Sequence, residues 1–173
     1  SFIVERASLV TVTHASSVVG ISHKKVLFIH TGADPKKFRP EKASRSLVKR
    51  YNLVKGKTLL YIGSFSPWHG CEYMMRAVAQ LAKKDKEIKL MMVGSGQKLQ
   101  ACLQLAKDLE REENIVFTGK VDLEKVPEYM NASDVCLALF DRKYAPFKKL
   151  GYYYSPIKIH EYKACGKPVI ASD

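Results

Sequence analysis

Short apolar runs alternate along this chain with stretches in which apolar residues return every three or four positions. Residues 58–62, 88–93, 114–118, 134–140 and 169–171 read as buried strands. Two further β-branched runs, 9–13 and 25–29, precede them. Residues 72–83 bring Met74, Met75, Val78, Leu81 and Ala82 onto one helical face. Residues 97–110 do the same with Leu99, Leu103, Ala106 and Leu109. Helices are also expected over 44–51, over 123–132 with Asp122 as cap candidate and Pro127 near the first turn, and over 156–165. Residues 142–154 read as a loop. Strands and helices alternating at this spacing predict βαβ units, a parallel sheet, and ligands at the carboxyl ends of the strands.

Composition narrows the class without naming a function. With 46% hydrophobic and 27% charged residues, the chain has the balance of a globular protein able to bury one full core. No apolar run approaches membrane-spanning length, and the first residues lack the order of a signal peptide. Cys71, Cys102, Cys136 and Cys165 are widely spaced and form no C-x-x-C pair. Zinc and a disulfide framework are therefore not expected, and a reducing, cytoplasmic location is. The net charge of +12 has two readings. One is solvated lysines on helix faces; the other is attraction to nucleotide diphosphates, acidic lipid headgroups or nucleic acid. The excess lies at 36–39, 42–50 and 142–149, and Lys49-Arg50-Tyr51 and Lys148-Lys149 could touch a membrane surface.

The candidate chemistry concentrates in the final nineteen residues, Ser155-Pro156-Ile157-Lys158-Ile159-His160-Glu161-Tyr162-Lys163-Ala164-Cys165-Gly166-Lys167-Pro168-Val169-Ile170-Ala171-Ser172-Asp173. Ser155 suits an N-cap and Pro156 the first helical position. The free N–H groups of that turn, the helix dipole and Lys158 suit a phosphate. Glu161, six residues after Ser155, is placed to accept hydrogen bonds from sugar hydroxyls joined to that phosphate. The plain alternatives are a surface carboxylate and a solvated lysine. Gly63 and Gly70 bracket Ser64, Ser66 and His69 after a strand, which fits a phosphate loop or a simple tight turn. In Gly94-Ser95-Gly96 the third glycine of a dinucleotide fingerprint is replaced by Leu99, so a structural turn is expected there. His160 points about 100° away from Glu161 on a helix and suits packing. His14, His23 and His30 show no metal-ligand spacing, and Trp68 fits either packing or stacking on a ligand.

These stretches, in this order, resemble retaining glycosyltransferases of the GT-B fold, the group called family four. The final segment resembles their S-P-x-K-x-x-E-Y signature, and Leu60-Tyr61-Ile62-Gly63-Ser64-Phe65-Ser66-Pro67-Trp68-His69-Gly70 their first phosphate loop. Ile29-His30-Thr31-Gly32-Ala33-Asp34 and Phe38-Arg39-Pro40 are similar to their interdomain segment. The resemblance implies a Rossmann-like parallel sheet flanked by helices, the donor-binding half of such an enzyme. By it, residues 1–24 are a remnant of the acceptor domain and 25–173 a nucleotide-sugar domain cut short at its C-terminus, inactive alone. It implies donor contacts from Gly63, Ser64, His69, Gly70, Gly119, Lys120, Val121, Ser155, Pro156, Ile157, Lys158 and Glu161. His69 and Lys158 would stabilise the departing diphosphate. No metal or cofactor is implied, only a nucleotide-diphosphate sugar as substrate, an acceptor held by the other domain, and possible contact with an anionic membrane.

Two departures from the family pattern stand out. Tyr153, eight residues before Glu161, occupies the place of a second glutamate, and Ser64 and His69 stand where many members have arginine and lysine. The cation facing the diphosphate must then come partly from Lys158. Three other classes compete: a GT-B sugar-nucleotide epimerase; a dinucleotide oxidoreductase, for which Val93-Gly94 supplies no acid at the end of the second strand; and a basic nucleic-acid module using Tyr152-Tyr153-Tyr154 beside Lys148-Lys149. Because those tyrosines abut the nucleotide motif, no nucleic-acid partner is expected.

Overall fold

Alternation along the strand at residues 58–62 sends Leu60 into one apolar cluster and Tyr61 into another, both fully buried. A strand buried on both faces needs helices on both faces, and the computed structural model has them. It describes residues 6–13, 25–150 and 156–172. In chain order the elements are β1 (Val10–Val12), β2 (Val26–Phe28), α1 (Arg45–Tyr51), β3 (Thr58–Ile62), α2 (Cys71–Lys84), β4 (Lys89–Val93), α3 (Leu99–Asp108), β5 (Ile115–Gly119), α4 (Val126–Asn131), β6 (Val135–Ala138), α5 (Ala145–Leu150), α6 (Ile157–Ala164) and β7 (Val169–Ala171).

Five strands form one wholly parallel sheet in the order β5-β4-β3-β6-β7. Tyr61, Leu90, Met92 and Leu137 meet Met74, Met75 and Val78 of α2 and Cys102 and Ala106 of α3. Leu60, Met91, Val93 and Cys136 meet Leu47 of α1, Tyr129 and Met130 of α4, and Tyr162 and Cys165 of α6. The chain steps outward from β3 to β5, then crosses back to place β6 on the other side of β3. The strand order therefore reverses between β3 and β6, and the carboxyl edge of the sheet there is where folds of this kind hold their ligands. β2 pairs with β1 in a separate parallel two-stranded sheet.

Asp134 precedes β6 as a turn residue: its carboxylate accepts the Thr58 N–H at 3.0 Å while its own N–H donates to Thr58 O at 2.8 Å. That pair sets the register at the start of β3 and β6. Asp134→Ala is expected to cost about 1–2 kcal/mol, the loss of one charge-assisted bond, readable from the urea midpoint.

Several expected boundaries move. The helix expected over 123–132 begins at Val126, since Lys125 takes the cap and Pro127 sits in its first turn. The strand expected over 134–140 spans only Val135–Ala138. Within the expected loop at 142–154, α5 forms from Ala145 because Phe147 is buried, and the Phe147 and Lys148 N–H groups turn back onto Tyr144 O. Pro156 is the N-cap of α6 and not its first residue, with ψ 97° placing it in extended backbone. Ser155, expected at that cap, and Tyr153 lie outside the described residues.

Candidate functional site

The loop leaving β3 is held mainly by its own backbone. Gly63 N–H donates to Val93 O at 3.0 Å, and Gly94 N–H donates to Gly119 O at 2.9 Å, so ladder-like pairing continues past the strand ends. Gly94 has φ +132°, and a Cβ there would lie 2.0 Å from the Gly63 carbonyl oxygen. Phe65 N–H donates to Ser95 O at 2.9 Å and Lys98 N–H to Phe65 O at 2.8 Å. The Gly94-Ser95-Gly96 turn is thus structural, as expected, and it also buttresses the loop that follows β3.

Two side chains beneath the loop donate to one carbonyl. Tyr61 O–H reaches Ser64 O at 2.6 Å, and His69 Nδ1 reaches the same oxygen at 2.7 Å. A carbonyl only accepts, so His69 carries its proton on Nδ1 and leaves Nε2 bare. Burial first, and the Lys158 ammonium second, push the His69 pKa down to about 4. His69 is therefore neutral at physiological pH, and its Nδ1–H is spent on shaping the loop. Gly70, at φ +55°, opens α2 in close contact with Leu139.

The cation arrives from the opposite face of the sheet. Tyr162, fully buried, accepts the Ile62 N–H at 2.9 Å and so fastens α6 to the end of β3. From α6, Lys158 extends over Gly63: a Cβ on Gly63 would lie 2.6 Å from Lys158 Nζ. The ammonium lies 4.5 Å from the centroid of the Tyr61 ring and is buried with no hydrogen-bond partner among the described residues. Burial lowers its pKa to about 8, against smaller opposing effects of Cys71 and Glu161. Glu161 is half-buried one turn further along; burial raises its pKa, and Lys158 and Lys37 partly offset that rise.

The structure thus brings Gly63, Ser64, His69, Gly70, Lys158 and Glu161 together at the carboxyl edge of the sheet, with Pro156 and Ile157 opening α6. Gly119, at φ +73°, has open space where a Cβ would stand, while Lys120 is exposed and Val121 packs against the core. Trp68 packs on His69 and Tyr144, with ring centroids 5.6 and 5.4 Å apart, and so ties the loop to the turn before α5. Sequence reasoning missed Tyr61 and Tyr162 as parts of the site. A tyrosine within an apolar strand run, just ahead of Gly-Ser, was the available signal for Tyr61. A cavity of about 710 Å³ lies between α2 and α3 and reaches the loop at Ser66, Pro67 and Gly70. There Arg76 is paired with Glu72 and Asp108 with Gln104, and none of Gly63, Lys158 or Glu161 lines it. Among the described residues no three His, Cys, Asp or Glu side chains converge as metal ligands, and no helix is long and apolar enough to cross a membrane.

An unpartnered buried ammonium over a glycine turn, with a carboxylate one helical turn behind, is an arrangement suited to an anion joined to hydroxyls. Comparison with known proteins identifies the family. The family described as "Glycosyl transferases group 1" matches residues 56–173. The chain belongs to the group 1 glycosyltransferases. Among curated proteins it is 28% identical over 143 residues to the GDP-mannose-dependent alpha-(1-6)-phosphatidylinositol monomannoside mannosyltransferase of Mycolicibacterium smegmatis, covering 81% of this chain and 36% of that one. The chain thus spans about a third of that relative. Among solved structures, Anabaena HepE in complex with UDP and glucose superposes with a TM-score of 0.74 at 22% identity, over 97% of this chain and 45% of that one. Sucrose-phosphate synthase of Thermosynechococcus elongatus gives 0.71 at 25% identity, over 98% and 42%. The C-terminal domain of a group 1 glycosyltransferase from Francisella tularensis gives 0.62 at 18% identity, over 81% and 70%. The five-stranded parallel sheet flanked by helices is that of GT-B glycosyltransferases.

Proposed function

We propose that this group 1 glycosyltransferase chain binds the nucleotide-diphosphate sugar, and that the whole enzyme transfers the sugar to an acceptor hydroxyl with retention of anomeric configuration. The observation that carries this reading is the Lys158 ammonium, buried over Gly63 without a hydrogen-bond partner among the described residues. A buried cation lacking an anion is costly, so its site is complementary to a charge that arrives with the substrate. As the bond from the anomeric carbon to the diphosphate breaks, its electron pair remains on a phosphate oxygen, and negative charge develops beside Lys158 Nζ. A preformed cation in a water-poor site stabilises that charge without reorganising. Glu161, one turn behind, accepts hydrogen bonds from ribose hydroxyls. The open backbone at Gly119 borders the nucleobase, and the acceptor is held by another domain of the enzyme. One relative is named as GDP-mannose-dependent and a different protein of the same fold is seen with UDP, which supports a nucleoside diphosphate as the ligand class. An anionic membrane surface fits the cations Lys49 and Arg50 on the last turn of α1.

Calorimetric titration with UDP, GDP and ADP tests the reading. At least one diphosphate is expected to bind, and Glu161→Ala to weaken it about tenfold or more, as loss of a charged hydrogen-bond acceptor implies. Failure of every diphosphate to bind, or undiminished binding by the variant, would overturn it.

A further inference from the structure

Lys158 and Tyr61 come from opposite sides of the sheet. Lys158 belongs to α6, whose Tyr162 and Cys165 pack with Leu60 and Met91. Tyr61 points to the other face, among Met74, Met75 and Leu137 of the α2 and α3 side. The two meet only because Gly63 has no side chain: Lys158 Nζ passes 2.6 Å and Tyr61 Oη 3.2 Å from where its Cβ would be. Beyond the glycine, the ammonium comes to rest 4.5 Å from the Tyr61 ring centroid. Cys71 of α2 and His69 of the loop also face this cation, as does Glu161 of its own helix. None of them accepts a hydrogen bond from Nζ.

The same tyrosine grips the loop. Its hydroxyl donates to Ser64 O at 2.6 Å, and its ring packs against Phe65 and His69 at 5.9 and 6.1 Å between centroids. Being fully buried, it has little freedom to do otherwise. An aromatic face attracts an ammonium strongly where water is excluded, yet leaves all three of its N–H donors free for an incoming anion. A carboxylate in the same place would occupy those donors and cancel the charge.

We propose that Tyr61 is the positioning residue of donor binding. Its ring holds the Lys158 ammonium across the sheet edge and its hydroxyl sets the Ser64 carbonyl, so one side chain fixes both the cation and the loop that face the diphosphate. The inference rests on the donor-binding reading of this site. It adds a residue that touches no substrate and acts through Lys158.

Two replacements of similar size separate the roles of Tyr61. Tyr61→Phe keeps the ring face and removes the bond to Ser64; Tyr61→pentafluorophenylalanine keeps the shape but reverses the charge distribution of the face. The first readout needs no ligand: the methylene protons next to Lys158 Nζ, assigned by their loss in Lys158→Met, lie over the ring and resonate upfield. The upfield shift is expected to persist in the phenylalanine variant and to vanish in the fluorinated one. The second readout is diphosphate affinity by calorimetry. It is expected to fall three- to tenfold, roughly one hydrogen bond, with phenylalanine, and about 30-fold further with the fluorinated ring. An upfield shift that survives fluorination, or equal affinity losses in the two variants, would overturn the proposal. If the wild-type chain binds no diphosphate, the donor reading falls, while the shift still decides whether the ring holds the cation.

Discussion

Lys158→Met is expected to weaken nucleoside diphosphate binding about 100-fold, the worth of a desolvated charged contact, and to raise the melting temperature of the same protein. The second effect follows from the first. An ammonium held in readiness for an anion is a destabilised group while the anion is absent. Burial takes the Lys158 pKa from an ordinary 10.5 to about 8, which corresponds to an upper figure of about 3 kcal/mol. Methionine fills nearly the same space without charge, giving up the attraction to Tyr61 but also the desolvation penalty. A gain of about 5 °C is expected, since 1 kcal/mol moves a domain of this size by roughly 2–4 °C.

The pH dependence has a definite sign. Below pH about 8 the folded and unfolded chains both carry the proton, and the folded chain bears the full burial cost. Between about 8 and 10.5 the folded chain has released it and the unfolded chain has not, so wild-type stability rises toward that of the variant. Diphosphate binding runs the other way, because the ligand draws the proton back onto Lys158. Wild-type affinity should therefore decline as pH climbs past 8, while the variant's weaker affinity stays flat. Melting curves and calorimetry at two pH values on either side of that point check both. A variant that melts lower and binds as wild type would remove Lys158 from the site.

The order of strands and helices was legible because burial imposes its period on any chain. Met74, Met75 and Val78 could hardly signal anything but one helical face, and each expected strand of the main sheet was found. Boundaries moved where local geometry competes with the apolar pattern, as at Pro127 and Pro156. α5 was hidden because Phe147 is a lone buried anchor in a basic stretch, too little for a period to emerge. Within the site, Lys158 and Glu161 could be read from their spacing along a helix. Burial could not be read in the same way, and burial decided His69: the sequence puts an imidazole in the loop, whereas packing on Trp68 and Tyr61 makes it neutral. Tyr61 was illegible for a related reason. A strand pattern says that a side chain is interior, not that a cation from the other face will cross a glycine to reach it.

The mutual approach of two turns was equally hidden, and it carries the other large effect. Gly94→Ala is expected to lower stability by about 3 kcal/mol, a drop of roughly 10 °C in melting temperature. Two causes combine. At φ +132° the backbone of Gly94 lies where side chains are strained, and its Cβ would come 2.0 Å from Gly63 O and 3.0 Å from Gly63 C. The obstacle is backbone, so no rotamer relieves it; either β3 and β4 separate at their carboxyl ends or Gly63 moves. Gly119→Ala provides the contrast. Its φ of +73° is also unfavourable for alanine, but nothing lies within 4 Å of the new methyl group, so only the conformational cost of about 1 kcal/mol is expected. Because Gly63 is also the position over which Lys158 passes, the Gly94 variant should lose diphosphate affinity in addition to stability, even at temperatures where it remains folded. Thermal unfolding and calorimetry on the two alanine variants separate these effects. Equal losses of stability would mean that backbone strain alone matters at both turns, and that the close contact between Gly94 and Gly63 contributes nothing.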